Sequence, residues 1–569
     1  MPENRRVTAK RQSGLFVLDK NHDLVMDKSF NGPDATSQSS PFCFWINDDY
    51  DYSGASWDLG HDVEAGWYYN DGYQRVIGSQ RDLEDYARLW ICGMPALTNG
   101  NYQVTLSWAN VSSGSPTINL FNSVETNGGV GYLTNSTIAA AQYGGLDNNY
   151  PGSPGKAIAT ISPGQPFTFP ASYFTSAGDK HFLFDGAITN GAGELLMTIA
   201  DNSGNTIAQT GAWLDLHRIT DFYEFAQATN VPSTVPPSSL VSQYSVIHPG
   251  LGMGNETKQV IVYVHGINRP AWGAQNEGET LFKRLYWSGY QGHFAEFRWP
   301  CAYLPPNSWW PYTFNESEFW AYKAAPAFKN YLSYLKNRPD LAGYAVDVLA
   351  HSQGNAVVSE ALFEGATINN YILSQGAVPA QCYDGSAPTL PVLMTAEAST
   401  PTPFAASIGG YNQCWTNISG NVGNIVNFFN VNDFALATGS YGPLDANWVK
   451  NQQSQKPEAF IGGPSYIYYP SNQTSVAYYT FGSHYTVTDW EESRSMVARS
   501  RTSAIGAQGP ATGQTAQGII GGSVDLFGEL GFGNTRPEHS AQFTRPIQTV
   551  WGYYDQILRS FQILPVNRQ

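Results

Sequence analysis

Along the 569-residue chain the spacing of apolar residues changes character near the middle. In the first part the period is two: YQVTLSW at 102–108 and ELLMTIA at 194–200 alternate apolar with polar, the pattern of half-buried strands. HFLFDG at 181–186 ends in a turn signal, and Gly, Asn and Pro clusters separate these runs. The pattern predicts a β-rich, sandwich-like module over 1–230. VPSTVPPSS at 231–239, followed by PGLG at 249–252, reads as a linker over 231–255.

Beyond it the signal is that of buried parallel strands. VIVYV at 260–264 is continuously apolar and ends in His-Gly, FAEFRWP at 294–300 is a second short strand, and YAVDVLA at 344–350 is a third. Residues 319–336 read as a helix that Pro326 must start or kink, and 355–364 as another. NIVNFFNV at 424–431 is a further strand. Strands alternating with helices predict an α/β domain with a mostly parallel sheet over 256–569. The stretch 440–535 is rich in Gly, Gln and Ser and weakly periodic, so it is expected to be an elaborated insertion over one face of the sheet. The final helix carries apolar residues at 547, 550, 551, 554, 557, 558 and 561, with Pro546 at its start.

Composition narrows the function. Thirty basic against 46 acidic side chains give a net charge of −16, which argues against a nucleic-acid partner, since phosphate binding needs a cation-rich surface. No run of apolar residues is long enough to span a bilayer. Few lysines and many Tyr, Trp, Asn and Gly favour a secreted or cell-surface protein. The opening MPENRR shows no signal peptide, which fits either a cytoplasmic protein or a chain that starts after a removed signal. The five cysteines lack metal-ligand spacing. Cys43 with Cys92 and Cys382 with Cys414 can each bridge within a domain, leaving Cys301 free; five buried thiols is the competing reading.

The chemistry concentrates at Ala350-His351-Ser352-Gln353-Gly354, between a strand and a helix. A turn this tight requires small residues two before and two after the central one, and Ala350 and Gly354 satisfy that. Such an elbow lifts the Ser352 hydroxyl above the sheet and aims a helix N-terminus at it. His265-Gly266-Ile267-Asn268 closes an earlier strand, so the backbone of Ile267 (or Asn268) and of Gln353 is expected to form an oxyanion hole. The His265 side chain is read as structural.

A serine hydroxyl needs an imidazole to take its proton and a carboxylate to orient that imidazole, in the chain order Ser, acid, His. Asp433 closes the strand at 424–431 and is the favoured acid, with Asp384 and Asp445 as alternatives of weaker strand context. For the base, His484 and His539 compete; the clean last helix after His539 favours it.

HGIN, FRWP, AHSQGN, VNDFAL, SRSMVARSRTSAIGA and EHSAQF together resemble bacterial α/β-hydrolases, lipase- or esterase-like, with a Ser-Asp-His triad and a long insertion before the histidine. The resemblance covers about residues 258–562. It implies an α/β-hydrolase fold with Ser352 as nucleophile, Asp433 as acid and His539 as base, and an acyl-enzyme route with water as acceptor. The expected function is hydrolysis of a small-molecule or polymeric carboxylic ester, with no cofactor. Trp448, Tyr466, Tyr468 and Tyr469 in the insertion suggest an apolar or aromatic ester. The alternative is a binding or adhesion protein whose hydrolase domain is inactive.

In the first module, Asp19 to Asp27 has oxygen donors at alternating positions, as a structural Ca²⁺ loop does, but Leu24 stands where such loops need glycine and Phe30 where an acid should close the shell. A solvated acidic turn is the simpler reading. Asp48, Asp49 and Asp51 cluster, and the aromatics Trp57, Trp67, Tyr68 and Tyr69 fit packing between sheets, the default for such residues, or stacking on sugar rings.

Overall fold

In the computed structural model the described residues are 16–29, 31–52, 75–77, 81–97, 101–145, 157–229, 240–250, 252, 257–267, 269–301, 310–378, 383, 415, 417–430, 433, 505–507, 523–526, 530 and 539–567. His484, Asp384, Asp445, Asn268, Trp57, Trp67, Tyr68, Tyr69, Trp448, Tyr466, Tyr468, Tyr469, Cys382 and Cys414 lie outside them.

Alternating strands of the first half pair into two five-stranded sheets. One joins β1 (Phe16–Leu18), β5 (Ala87–Met94), β10 (Gly178–Gly186), β7 (Ile118–Asn122) and β8 (Ala159–Ile161), in that order. The other joins β2 (Phe42–Trp45), β12 (Thr206–His217), β11 (Gly191–Asp201), β6 (Tyr102–Gly114) and β9 (Phe167–Thr168). Pairing is antiparallel except between β12 and β2. Both sheets feed one core, in which Leu89, Phe182 and Phe184 meet Phe44, Leu195 and Leu214. A two-stranded sheet of β3 (Tyr50–Tyr52) and β4 (Arg75–Ile77) and two short helices, α1 (Gly131–Thr134) and α2 (Ser136–Gly145), complete this part.

An eight-stranded sheet forms the second half, in the order β14 (Gln243–His248), β13 (Tyr223–Thr229), β16 (His293–Arg298), β15 (Gln259–Val264), β17 (Ala345–His351), β18 (Ile368–Ser374), β19 (Val422–Phe429) and β20 (Ser523–Asp525). All pairs are parallel except β13 with β14. Helix α3 (Ala271–Trp287) lies on one face; α4 (Trp310–Asn337) and α5 (Gly354–Phe363) lie on the other. The short α6 (Ala541–Thr544) and the closing α7 (Trp551–Ser560) return to the α3 side. Among the described residues no helix is long and apolar enough to cross a membrane.

The sheet starts earlier than the sequence reading placed it. β13 and β14 fall in the residues assigned to the first module and the linker, yet β13 pairs with β16 from Tyr223 against Phe294 to Gln227 against Arg298. Glu224 on β13 accepts a hydrogen bond from the Tyr331 hydroxyl on α4 at 2.8 Å and pairs with Arg338. Val241, in the segment read as linker, is tied in as well. Pro326 inside α4 has no N–H and so interrupts the helix ladder. Val241 mends the gap: its N–H donates to the Lys323 carbonyl (2.8 Å), and its carbonyl accepts from the Ala327 N–H (2.9 Å). The insertion at 440–535 also contributes structure to the sheet, because β20 pairs with β19 as an edge strand.

Helix α3 joins the two halves. Every residue from Asn276 to Trp287 is buried. Lys283 pairs with Asp49 at 2.6 Å and Asp85 at 2.8 Å, and Arg284 with Glu84 at 3.0 Å. Trp45 donates from Nε1 to Asp85 at 2.6 Å, and Trp287 from Nε1 to the Glu84 carbonyl at 2.7 Å. At the last helix, Trp551 donates to the Leu133 carbonyl at 2.6 Å.

Cys43 and Cys92 are free thiols, not a bridge. They stand on β2 and β5, in different sheets, and Cys92 packs against Val17, Met26 and Trp90. Burial pushes both thiols up to about 12.

Candidate functional site

The site lies beyond the carboxyl ends of the parallel strands. There β15 has β16 on one side and β17 on the other, so the order of the chain reverses direction across the sheet. Ser352 follows β17 directly, with a φ of 54°. A non-glycine residue there is strained by about 1–3 kcal/mol and persists only where its surroundings hold it. They do: the Ser352 N–H donates to the Ser374 carbonyl (3.0 Å), and its own carbonyl accepts from the Ala377 N–H (3.0 Å). The Asn355 amide adds a further bond to that carbonyl at 2.8 Å. A Cβ on Gly354 would sit 2.4 Å from the His265 carbonyl oxygen, so only glycine fits two residues after the serine. Gly266 also approaches closely; a Cβ there would be 3.0 Å from the Ser352 Cβ.

Ser352, His539 and Asp433 come together. His539 Nε2 lies 2.7 Å from Ser352 Oγ, and its Nδ1 lies 2.6 Å from Asp433 Oδ2. With Nδ1–H donating to the carboxylate, Nε2 is left to accept the serine proton. Ser352, His539 and Asp433 are all buried. Ile267 follows Gly266 in the turn after β15, and Gln353, next to the serine, is the N-cap of α5. The His265 ring faces away from this chemistry. Its Nδ1 is 2.6 Å from the Gly266 carbonyl oxygen, and its Nε2 accepts from the Trp299 N–H at 3.3 Å. Burial lowers its pKa to about 3, so the ring is neutral.

Other residues in contact with these three were not singled out from the sequence. Gln375, after β18, donates from Nε2 to Asp433 Oδ2 at 2.7 Å and has a φ of 44°. His351 donates from Nε2 to the His539 carbonyl at 2.8 Å, and burial together with the neighbouring His539 holds it well below the usual histidine range. Ile505 to Ala507, the end of the SRSMVARSRTSAIGA run, wedges against this edge. The Gly506 N–H donates to the Gly376 carbonyl (3.0 Å), and its carbonyl accepts from the Asn430 N–H (2.8 Å), three residues before Asp433. A Cβ on Gly506 would lie 2.2 Å from the Gln375 carbonyl carbon. The signals available were slight: a polar residue at a strand end for Gln375, and the variable position before the serine for His351.

In the acidic run of the first module each of Asp19, Asp23 and Asp27 accepts a hydrogen bond from the protein. Asp19 takes a bond from Arg88 at 2.8 Å, Asp23 from the Val25 N–H at 2.8 Å, and Asp27 from the Ser29 N–H at 2.9 Å. Among the described residues no group of three or more His, Cys, Asp or Glu is placed to hold a metal ion.

Residues 252–374 match the family described as an alpha/beta hydrolase of unknown function, DUF900. This span holds β15 to β18, the Gly266 turn and the Ser352 elbow, and the fold of the second half is that of an α/β-hydrolase domain. No curated protein matches the chain significantly. Among solved structures, the chain is similar to the esterase Pf2001 of Pyrococcus furiosus, at 15% identity over 31% of this chain and 63% of that one, with a TM-score of 0.19. It is also similar to the acylaminoacyl peptidase of Pyrococcus horikoshii, at 8% identity over 66% of this chain and 48% of that one, TM-score 0.24. A third is lipase B of Aspergillus fumigatus, at 11% identity over 45% and 67%, TM-score 0.18. The chain spans less than two thirds of the first two structures.

Proposed function

We propose that the protein is a serine hydrolase that cleaves carboxylic esters, apolar or aromatic ones, through an acyl-enzyme intermediate. The observation that carries this reading is the unbroken hydrogen-bond chain from Ser352 Oγ through His539 to Asp433, built on a strained elbow at the sheet's carboxyl edge. The match of residues 252–374 to an alpha/beta hydrolase family supports the broader class.

In this reading Ser352 Oγ attacks the ester carbonyl carbon as its proton passes to His539 Nε2. The carbonyl electron pair moves to oxygen, where the N–H groups of Ile267 and Gln353 receive it. Collapse of the tetrahedral adduct breaks the bond to the alcohol oxygen, which takes the proton from Nε2. Water then repeats both steps on the acyl-enzyme and releases the acid. Asp433 keeps the proton on Nδ1 throughout, so the imidazole presents its basic nitrogen to the serine. Gln375 gives the carboxylate a second donor and so fixes its direction.

The test is turnover of p-nitrophenyl acetate, butyrate and octanoate and of aryl esters by wild type and by Ser352→Ala. A loss of about 10⁴-fold or more in kcat/KM is expected in the variant. Equal rates for the two proteins would replace this reading with that of an inactive binding or adhesion protein. His539→Ala is expected to lose a similar factor and His484→Ala much less; the reverse ranking would move the base to His484.

A further inference from the structure

A buried path of hydrogen bonds runs from the β-rich half to the site. Glu84 lies in the 3₁₀ turn Leu83–Asp85 and is 1% exposed. Its Oε1 accepts from Arg284 Nε at 3.0 Å. Arg284, fully buried on α3, donates from Nη1 to the carbonyl of Gln542 at 2.6 Å. The Tyr554 hydroxyl donates to that same carbonyl at 2.6 Å. Gln542 belongs to α6, which begins just after His539. At the other end of this short segment, His351 holds the His539 carbonyl at 2.8 Å. The backbone carrying the imidazole is thus pinned at two carbonyls, and one of the pins is a cation whose counter-charge belongs to the other half of the molecule.

We propose that the β-rich half acts as a positioning element for the imidazole of His539, through the relay Glu84, Arg284 and the Gln542 carbonyl. The proposal deepens the reading of His539 as general base and rests on it. Physically, a guanidinium stays aimed at a neutral carbonyl in a buried setting only while its charge is balanced nearby. Neutralising Glu84 removes that balance and weakens the hold of Arg284 on the Gln542 carbonyl, which shifts toward the Tyr554 hydroxyl. A displacement of the imidazole by a fraction of an ångström to about 1 Å then degrades proton transfer from Ser352 without altering where substrate binds.

The test compares Glu84→Gln with Asp49→Asn in the full-length protein. Both variants remove one carboxylate charge from the buried ion pairs that dock α3, and Asp49 pairs with Lys283, the residue before Arg284. Active sites are counted by titration with a fluorophosphonate, so unfolded protein drops out of the rate. For Glu84→Gln the expected result is a fall of about 10- to 100-fold in kcat per titrated site, with KM within about twofold. The low-field proton resonance of His539 Nδ1–H, assigned by its loss in His539→Ala, should shift in the same variant. Asp49→Asn should lower thermal stability at least as much while kcat per site and the resonance stay in place. Glu84→Asp, which keeps the charge, should recover part of the rate. Should Glu84→Gln fail to fold, Arg284→Lys carries the same readouts, since lysine can face Glu84 but lacks the second arm toward Gln542. Wild-type kcat per site with an unmoved resonance in Glu84→Gln, or an equal loss in Asp49→Asn, would overturn the relay. If instead the wild type shows no Ser352-dependent turnover, the base reading fails, and the resonance alone decides whether the relay positions His539.

Discussion

From the central strand β15, Val260, Val262 and Val264 point into one face of the sheet, and Ile261 and Tyr263 into the other. On the first face they meet Ala321, Ala324, Phe328, Leu332 and Leu335 of α4 and Val357, Val358 and Ala361 of α5. On the second they meet α3, whose inner surface also carries Glu277, Glu279, Lys283 and Arg284, all buried. Glu296 on β16 adds a further carboxyl, and neither of its oxygens has a hydrogen-bond partner among the described residues. The valine face is held by hydrocarbon packing, which tolerates exchange between residues of similar volume. The α3 face is where the other half of the molecule docks. There a slide of one helical turn would separate Lys283 and Arg284 from Asp49, Asp85 and Glu84, at a cost of several kcal/mol for each charge left buried and alone. One face therefore supplies bulk stability, and the other fixes how two halves meet.

The strongest way to break this contrast is Lys283→Ala. It takes one cation from Asp49 and Asp85, leaving Arg81, at 3.3 and 3.8 Å, to face both buried carboxylates, and should cost about 3–5 kcal/mol by urea denaturation. On the opposite face Leu332→Ala should cost about 2–4 kcal/mol from lost burial and the cavity left behind. That loss should not change with pH or salt, and a pH-dependent loss there would contradict the assignment of the two faces.

A third measurement uses Glu296→Gln. Burial, with Glu277 and Glu279 nearby, raises the Glu296 carboxyl well above its usual range. The folded protein therefore keeps a proton that the unfolded chain releases above about pH 4.5, and folding stability falls as pH rises from there. Removing the titration should stabilise the protein by about 1.4 kcal/mol for each pH unit above that point, and should do nothing below it. An equal effect at pH 4 and pH 6 would show that packing, not proton linkage, is at work. The smallest expected change is at the elbow between the two faces: Ser352→Gly relieves the positive φ and should add about 1 kcal/mol of stability while abolishing turnover.

Much of the site was legible because its requirements are local. Ala350 and Gly354 mark the elbow through steric need alone, and the Gly354 contact with the His265 carbonyl is that need in atoms. Asp433 and His539 could be chosen because one follows a buried strand and the other precedes the last helix. The supporting residues left no such trace. Gln375 acts on a residue 58 positions away, His351 on a carbonyl 188 away, and Arg284 on one 258 away. Backbone carbonyls carry no signature in a sequence. The start of the sheet was misplaced for a related reason. YEFAQAT at 223–229 is a short apolar run with nothing to say which sheet it joins, and the Pro/Ser stretch after it drew the boundary past it. The free Cys43 and Cys92 follow from the same blindness to which strands share a sheet.

Val241 mending the helix at Pro326 decides where the chain can be cut. A fragment beginning at residue 256 would leave the Lys323 carbonyl and the Ala327 N–H without the bonds they make here, and would strip β13 and β14 from the flank of β16. An expression fragment that begins before Tyr223 keeps that splice, but it uncovers the charged side of α3 together with Phe282, Tyr286 and Trp287, the aromatic surface that Phe44 and Trp45 cover in the whole chain.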